Sequence, residues 1–174
     1  RYNKESMHPL NLKPLSDEAP SLFAERIGNA YIAQQSLEHK KTFAQYFTPL
    51  SASHFMASLV KHKKPEITIA DLGAGSGILG INICELLSKN NNKLKKIELT
   101  AYEIDEQIIP LLEQALAYTK TWLKKQGVDL NYFIKNKDFI LENASVLDDQ
   151  KDRTETFDVI ISNPPYFKLN KSDP

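Results

Sequence analysis

One cysteine in 174 residues rules out an intrachain disulfide framework and any cysteine-based zinc site. That residue, Cys84, sits in an apolar helical stretch and reads as a small buried hydrophobe rather than a nucleophile. The four histidines (His8, His39, His54, His62) show no metal-ligand spacing, so no metal is expected. No apolar run approaches the ~18 residues a membrane span needs, so no membrane partner is expected. The first residues, Arg-Tyr-Asn-Lys-Glu-Ser, lack the apolar region of a signal peptide, and a reduced, cytoplasmic protein is the default expectation. Neither sign of charge is in excess: 22 Lys and Arg balance 22 Asp and Glu, which is not the basic footprint of a free-standing nucleic-acid binder. The lysine clusters at 61–64, 93–96 and 124–125 read as solvated surface. What is present, 41% hydrophobic and 25% charged residues, suits one globular domain with a real core.

Residues 1–20 are a polar lead-in carrying Pro9, Pro14 and Pro20. Residues 21–62 read as an N-terminal helical segment. A helix opens at Pro20-Ser21, and Leu22, Phe23, Ile27, Ala30, Tyr31, Gln34 and Leu37 recur at three-and-four spacing. Phe43 to Pro49 breaks it, and a second helix is expected from Ser51 to about His62. From residue 63 the pattern turns to strand–helix alternation. Ile67–Leu72 is a strand ending in a glycine turn, Ile78–Leu87 a helix closed by Asn90-Asn91-Asn92, and Ile97–Ile104 a second strand. Asp105 is expected to cap a long helix that ends at Gly127. Leu130 to about Lys135 is a third strand, 143–156 a polar loop, and Phe157–Ser162 a fourth strand. This is the α/β alternation of a parallel, helix-covered sheet, with strand order 3-2-1-4 expected. The sequence ends about ten residues past the fourth strand, so residues 63–174 are expected to be the N-terminal half of a doubly wound domain. The fourth strand would then be an edge that further chain or a partner covers.

Three strand ends carry chemistry. In Asp71-Leu72-Gly73-Ala74-Gly75-Ser76-Gly77 the glycines permit a tight turn and close approach to a ligand. The spacing is G-x-G-x-G rather than the dinucleotide G-x-G-x-x-G. Asp71 ahead of it would repel a pyrophosphate but could accept from an ammonium group. Alone, the turn leaves an NAD site open. Glu103, at the next strand end, suits a ribose diol, and the two acids together point to S-adenosylmethionine. After the third strand Asp138 could accept from an adenine exocyclic amine while Phe139 packs on the ring; a helix N-cap is the other reading of Asp138. The fourth strand stops at Asn163-Pro164-Pro165-Tyr166. The prolines make a stiff corner, the Asn163 amide oxygen and a backbone carbonyl can both accept from one –NH₂ group, and Tyr166 offers a flat ring for stacking. A plain strand followed by a proline turn is the alternative.

These blocks resemble the class I S-adenosylmethionine-dependent N6-adenine DNA methyltransferases of restriction-modification systems, both type II enzymes and type I modification subunits, in that family's γ order. Gln45-Tyr46-Phe47-Thr48-Pro49 looks like its N-terminal motif, and the likeness covers roughly residues 22–168. The resemblance implies a Rossmann-like methyltransferase fold with S-adenosylmethionine as cofactor. It implies that Tyr46, Phe47, Thr48, Asp71, Gly73, Ala74, Gly75, Gly77, Glu103, Ile104, Asp138 and Phe139 surround the cofactor. Asn163, Pro164, Pro165 and Tyr166 would handle a flipped-out adenine, with Asn163 also at the cofactor. Duplex DNA is the implied partner, alongside a restriction nuclease domain or subunit. The family's later strands and target-recognition domain have no counterpart in these residues, so the chain alone is expected not to methylate DNA. Protein-glutamine and ribosomal-RNA methyltransferases share the strand–Asn-Pro-Pro-Tyr corner; the Tyr46-Phe47-Thr48-Pro49 block is what resembles the DNA enzymes. A cofactor-binding module completed by another polypeptide also remains open.

Overall fold

The computed structural model describes residues 11–36, 47–144 and 156–164. Its centre is a four-stranded parallel sheet in the order β3-β2-β1-β4, the order expected from the sequence. The inner strands are β1 (Glu66–Leu72) and β2 (Lys96–Tyr102), flanked by β3 (Asp129–Lys135) and β4 (Val159–Ser162). Burial follows from position. In β2 every residue from Leu99 to Tyr102 is buried, whereas β3, at the edge, alternates more nearly between buried and open positions. The helices are α1 (Pro20–Gln34), α2 (Leu50–Ser58), α3 (Ile78–Asn90), α4 (Ile109–Lys125) and the short α5 (Phe139–Asn143).

Ile67, Ile69, Ile97, Leu99, Leu130 and Ile161 share one hydrophobic cluster with Ile81, Ile83, Leu112 and Leu116 of α3 and α4. Phe23, Ile27 and Tyr31 of α1 belong to the same cluster, so the N-terminal helix is part of the core that carries the sheet. Each such aliphatic side chain contributes about 1.5–3 kcal/mol relative to exposure. On the opposite sheet face, among the described residues, Phe133 and Ile160 remain more than half exposed. Cys84 is fully buried, and burial pushes its thiol up to about 12, as befits a packing residue.

Remote partners hold α1. Pro20 presets the first turn, but Ala19 at the N-cap offers no side-chain acceptor. Glu85 of α3 supplies one instead: its Oε2 accepts from the Ser21 N–H at 3.2 Å and from Ser21 Oγ at 2.7 Å. A carboxylate at a helix N-terminus satisfies orphan donors and complements the dipole. At the sheet's other side the Asp158 carboxylate accepts from Thr68 N at 2.9 Å, just ahead of β4.

Several expected boundaries move. The long helix is not capped by Asp105; it begins at Ile109 with Ile108 as N-cap and Pro110 in its first turn. Asp105 instead closes a turn ahead of the helix, accepting from the Gln107 N–H at 3.0 Å. Proline's fixed φ and missing N–H make the first turn of a helix its natural place. The helix expected to reach His62 stops at Ser58; Leu59 is exposed, while Val60 packs against the core. The second strand ends at Tyr102, so Glu103 and Ile104 lie just past it, and the fourth begins at Val159 rather than Phe157. Among the described residues no helix is long and apolar enough to cross a membrane, and no group of acidic, histidine or cysteine side chains could hold a metal ion.

Candidate cofactor and catalytic site

The turn after β1 folds back over the end of β2. Gly73 N–H and Ala74 N–H both donate to the Tyr102 carbonyl at 2.9 Å. Gly75 N–H donates to Glu103 Oε2 at 2.7 Å, Gly77 N–H to the Ala74 carbonyl, and Gly80 N–H to Asp71 Oδ2 at 2.9 Å. Gly73, Gly75 and Gly77 all have positive φ, so the turn requires them. Their surroundings differ. A Cβ on Gly75 would lie 2.5 Å from Phe47 Cε1 and one on Gly77 would lie 2.8 Å from Leu112, whereas one on Gly73 would meet nothing within 4 Å. The open side of the turn is therefore at Gly73.

Acidic side chains crowd this turn. Asp71 is 1% exposed, and its Oδ1 has no hydrogen-bond partner. Burial raises its carboxyl to about 7; the Gly80 N–H opposes that rise and the nearby Glu103 charge adds to it. Glu103 is also buried, with Oε1 accepting from Asp105 N at 2.9 Å and Oε2 from Gly75 N. Burial raises its carboxyl as well, against the pull of those two N–H groups. Asp105 is buried beside them and accepts from the Tyr31 hydroxyl of α1 at 2.5 Å. A turn in which the Gly73, Ala74, Gly75 and Gly77 N–H groups already have acceptors, lined by buried carboxylates, suits a cation and disfavours a pyrophosphate. This weighs against the dinucleotide alternative.

Phe47, Thr48 and Pro49 lead into α2 and lie against the turn. The Phe47 ring packs over Gly75 and Gly28 and meets Tyr31 edge-on, centroids 6.3 Å apart. Thr48 is 8% exposed, and its Oγ1 accepts from Asn163 Nδ2 at 2.9 Å. The fourth strand brings Asn163 there: Ser162 pairs with Leu72, and the Ser162 hydroxyl donates to the Leu72 carbonyl at 2.9 Å. The structure thus gathers Phe47-Thr48-Pro49, the glycine turn and Asn163 at the carboxyl ends of β1 and β4. A cavity of about 160 Å³ between α1 and this segment is lined by Glu25, Asn29, Thr48 and Ser76 among others.

The third strand end is more open. Asp138 caps α5, accepting from Ile140 N at 2.8 Å and Leu141 N at 3.2 Å, which is the helix-cap alternative for that residue. Its carboxylate is solvent-exposed, so a further donor can still reach it. The Phe139 ring stands edge-on to Tyr102 with centroids 5.0 Å apart, and Ile104 is half exposed. Tyr46, Pro165 and Tyr166 lie outside the described residues. Sequence reasoning did not single out Tyr31, Asp105 or Asn136 as site residues. Asn136 Nδ2 donates to the Glu103 carbonyl at 2.9 Å and so braces the acid's backbone. Tyr31 did carry a signal: it is a polar-tipped ring on the buried stripe of α1, where a hydroxyl needs an acceptor.

A family model described as N-6 DNA Methylase matches residues 25–173. The Type II methyltransferase M.BsuBI of Bacillus subtilis is 36% identical over 143 residues, covering 78% of this chain and 27% of that protein. The Type II methyltransferase M.AccI of Acinetobacter calcoaceticus is 30% identical over 143 residues, covering 82% of this chain and 22% of that protein. The chain thus spans about a quarter of the length of these curated relatives. Among solved structures, one from Listeria monocytogenes described as a class I S-adenosylmethionine-dependent methyltransferase aligns with a TM-score of 0.56 at 16% identity. That alignment covers 88% of this chain and 42% of that one, and it shows the fold: a Rossmann-like methyltransferase sheet, as the sequence resemblance implied.

Proposed function

The chain belongs to the N-6 DNA methylase family, and from that premise we propose that it is the cofactor-binding part of an adenine-specific DNA methyltransferase of a restriction-modification system. Bound S-adenosylmethionine would supply an electrophilic methyl group on a sulfonium. The observation that carries the reading is the partnerless Asp71 Oδ1 beside a turn whose glycine N–H groups already have acceptors. That arrangement fits a nucleoside with a cationic amino-acid tail. Asp71 would accept from the ammonium. Each Glu103 oxygen accepts one backbone N–H and keeps a lone pair for a ribose hydroxyl. Tyr46, Phe47 and Thr48 would border the methionine end, and Ile104, Asp138 and Phe139 the adenine.

The reacting amine belongs to an adenine whose ring delocalises the nitrogen lone pair. Asn163 Oδ1 and the Pro164 carbonyl would each accept one N–H, freeing the lone pair and stabilising the positive charge that develops on nitrogen. Pro165 would stiffen the corner, and Tyr166 would stack on the flipped base. No residue needs to form a covalent intermediate. By the same reading residues 1–20 are a lead-in, 21–62 the helical segment with the N-terminal motif, and 63–174 the first half of the catalytic sheet. A formal net charge of zero supports DNA phosphate contacts made elsewhere in the protein. A nuclease of matching specificity and a cytoplasmic location complete the proposal. In the protein at its full native length, Asn163→Ala should lower kcat by about 10²-fold or more while S-adenosylmethionine affinity stays nearly constant. Turnover retained in that variant would remove Asn163 from the reaction.

A further inference from the structure

We propose that Thr48 is a positioning residue for methyl transfer, whose hydroxyl holds the Asn163 amide in place at the catalytic corner. The inference rests on the reading of Asn163 given above, and it assigns the Thr48 hydroxyl to the catalytic corner rather than to the cofactor. A primary amide is nearly symmetric in outline, and half a turn about its last bond exchanges an acceptor for two donors. A target –NH₂ group has protons to give, so the flipped amide would set donor against donor. The Asn163 amide therefore has to be held against that rotation. In the structure Thr48 Oγ1 holds it, accepting from Asn163 Nδ2 at 2.9 Å across 115 positions of sequence and leaving Oδ1 for the target amine.

Thr48 can hold the amide only if it is itself fixed, and three contacts of its chain neighbours fix it. On one side the Phe47 ring fills the space over Gly75 and against Gly28. On the other, Pro49 is the N-cap of α2, and its carbonyl accepts from Ser53 N at 2.9 Å. Next to it, Leu50 N–H donates to Glu25 Oε1 of α1 at 3.0 Å. Asn163 is anchored from its own strand through the Ser162 hydroxyl and the Leu72 carbonyl. Both ends of the hydrogen bond thus belong to braced backbone. Its geometry is set before any ligand arrives, the preorganisation that favours a transition state.

The role separates from a cofactor contact by what it leaves alone. In the full native-length protein Thr48→Val, which keeps the shape and removes the hydroxyl, should lower kcat about tenfold, the weight of one oriented hydrogen bond. S-adenosylmethionine affinity measured by calorimetry should stay within about twofold, and Thr48→Ser should restore the rate. A Thr48→Val variant with weaker cofactor binding and unchanged kcat would overturn the proposal, as would failure of serine to restore the rate. Selective ¹⁵N-asparagine labelling reads the contact without any activity. Thr48→Val should shift the Asn163 side-chain amide signals and speed their proton exchange, while an unmoved Asn163 signal overturns the proposal. Absence of DNA methylation by the wild-type protein, with that amide still sensitive to Thr48, would instead reject the substrate reading and leave this contact standing.

Discussion

Asp71→Asn should change how stability depends on pH, and by an amount the structure bounds. The Asp71 carboxyl is 1% exposed, one oxygen accepts from Gly80 N–H, and the other has no partner. Burial takes its pKa from 3.8 to about 7, with Gly80 opposing and Glu103 adding. At ~1.36 kcal/mol per unit that shift corresponds to about 4 kcal/mol at most, since water drawn in on ionisation would soften it. The sign follows from proton counting. The folded value lies above the unfolded one, so between about pH 4 and pH 7 the folded state binds more protons. The contribution to stability is full below the unfolded value, falls as pH rises toward 7, and levels off above it. Asparagine keeps an acceptor for Gly80 N–H and cannot ionise. Its fixed cost cancels when slopes are compared. Urea unfolding of both proteins without ligand, followed by Trp122 fluorescence between about pH 4 and pH 8, should show the wild type losing up to about 4 kcal/mol relative to the variant. An ammonium-bearing ligand binds the ionised acid. S-adenosylmethionine affinity of the wild type should therefore rise by up to tenfold per pH unit and flatten above about pH 7, with no such rise in the variant. Parallel stability curves for the two proteins would refute the claim that Asp71 is a strained buried acid.

Gly75→Ala should destabilise the fold by about 2–4 kcal/mol in urea unfolding, combining left-handed strain with a clash against the packed Phe47 ring. Gly73→Ala, also at positive φ but facing open space, should cost only about 1–2 kcal/mol of stability and weaken S-adenosylmethionine binding instead; equal stability losses in the two variants would contradict the open side assigned to the turn. Glu103→Ala should weaken S-adenosylmethionine binding by about 1–3 kcal/mol in calorimetry, the scale of hydrogen bonds to a charged acceptor. Unchanged affinity would remove Glu103 from the ribose site.

The sheet was legible because it is built from local signals. Ile67–Leu72 and Ile97–Tyr102 are apolar runs bounded by turn residues, and the Gly73–Gly77 spacing marks a backbone that only glycine follows easily. The strand-end acids were legible for the same reason: Asp71 lies in the last two residues of β1 and Glu103 directly follows β2. What stayed hidden was long-range. Nothing near Ser21 says that its N–H and hydroxyl meet a glutamate 64 positions away, nor does Thr48 announce a partner 115 positions on. Asp105 was misassigned because an acid ahead of a helical pattern looks like a cap. Pro110, five residues later, took over the start of the helix and left Asp105 to the turn and to Tyr31. Helix α2 ends at Ser58, ahead of the polar run that starts at Lys61, and Val60 reaches the core from outside the helix.

The most direct test of the central claim is the identity of the methylated product. The full native-length protein would be incubated with duplex DNA and S-adenosylmethionine carrying a labelled methyl group, and the DNA digested to nucleosides for mass spectrometry. The account requires the label on N6-methyldeoxyadenosine, and its loss in Asn163→Ala. Label on cytosine, or on the glutamine amide of a protein supplied in the same reaction with none on adenine, would contradict it.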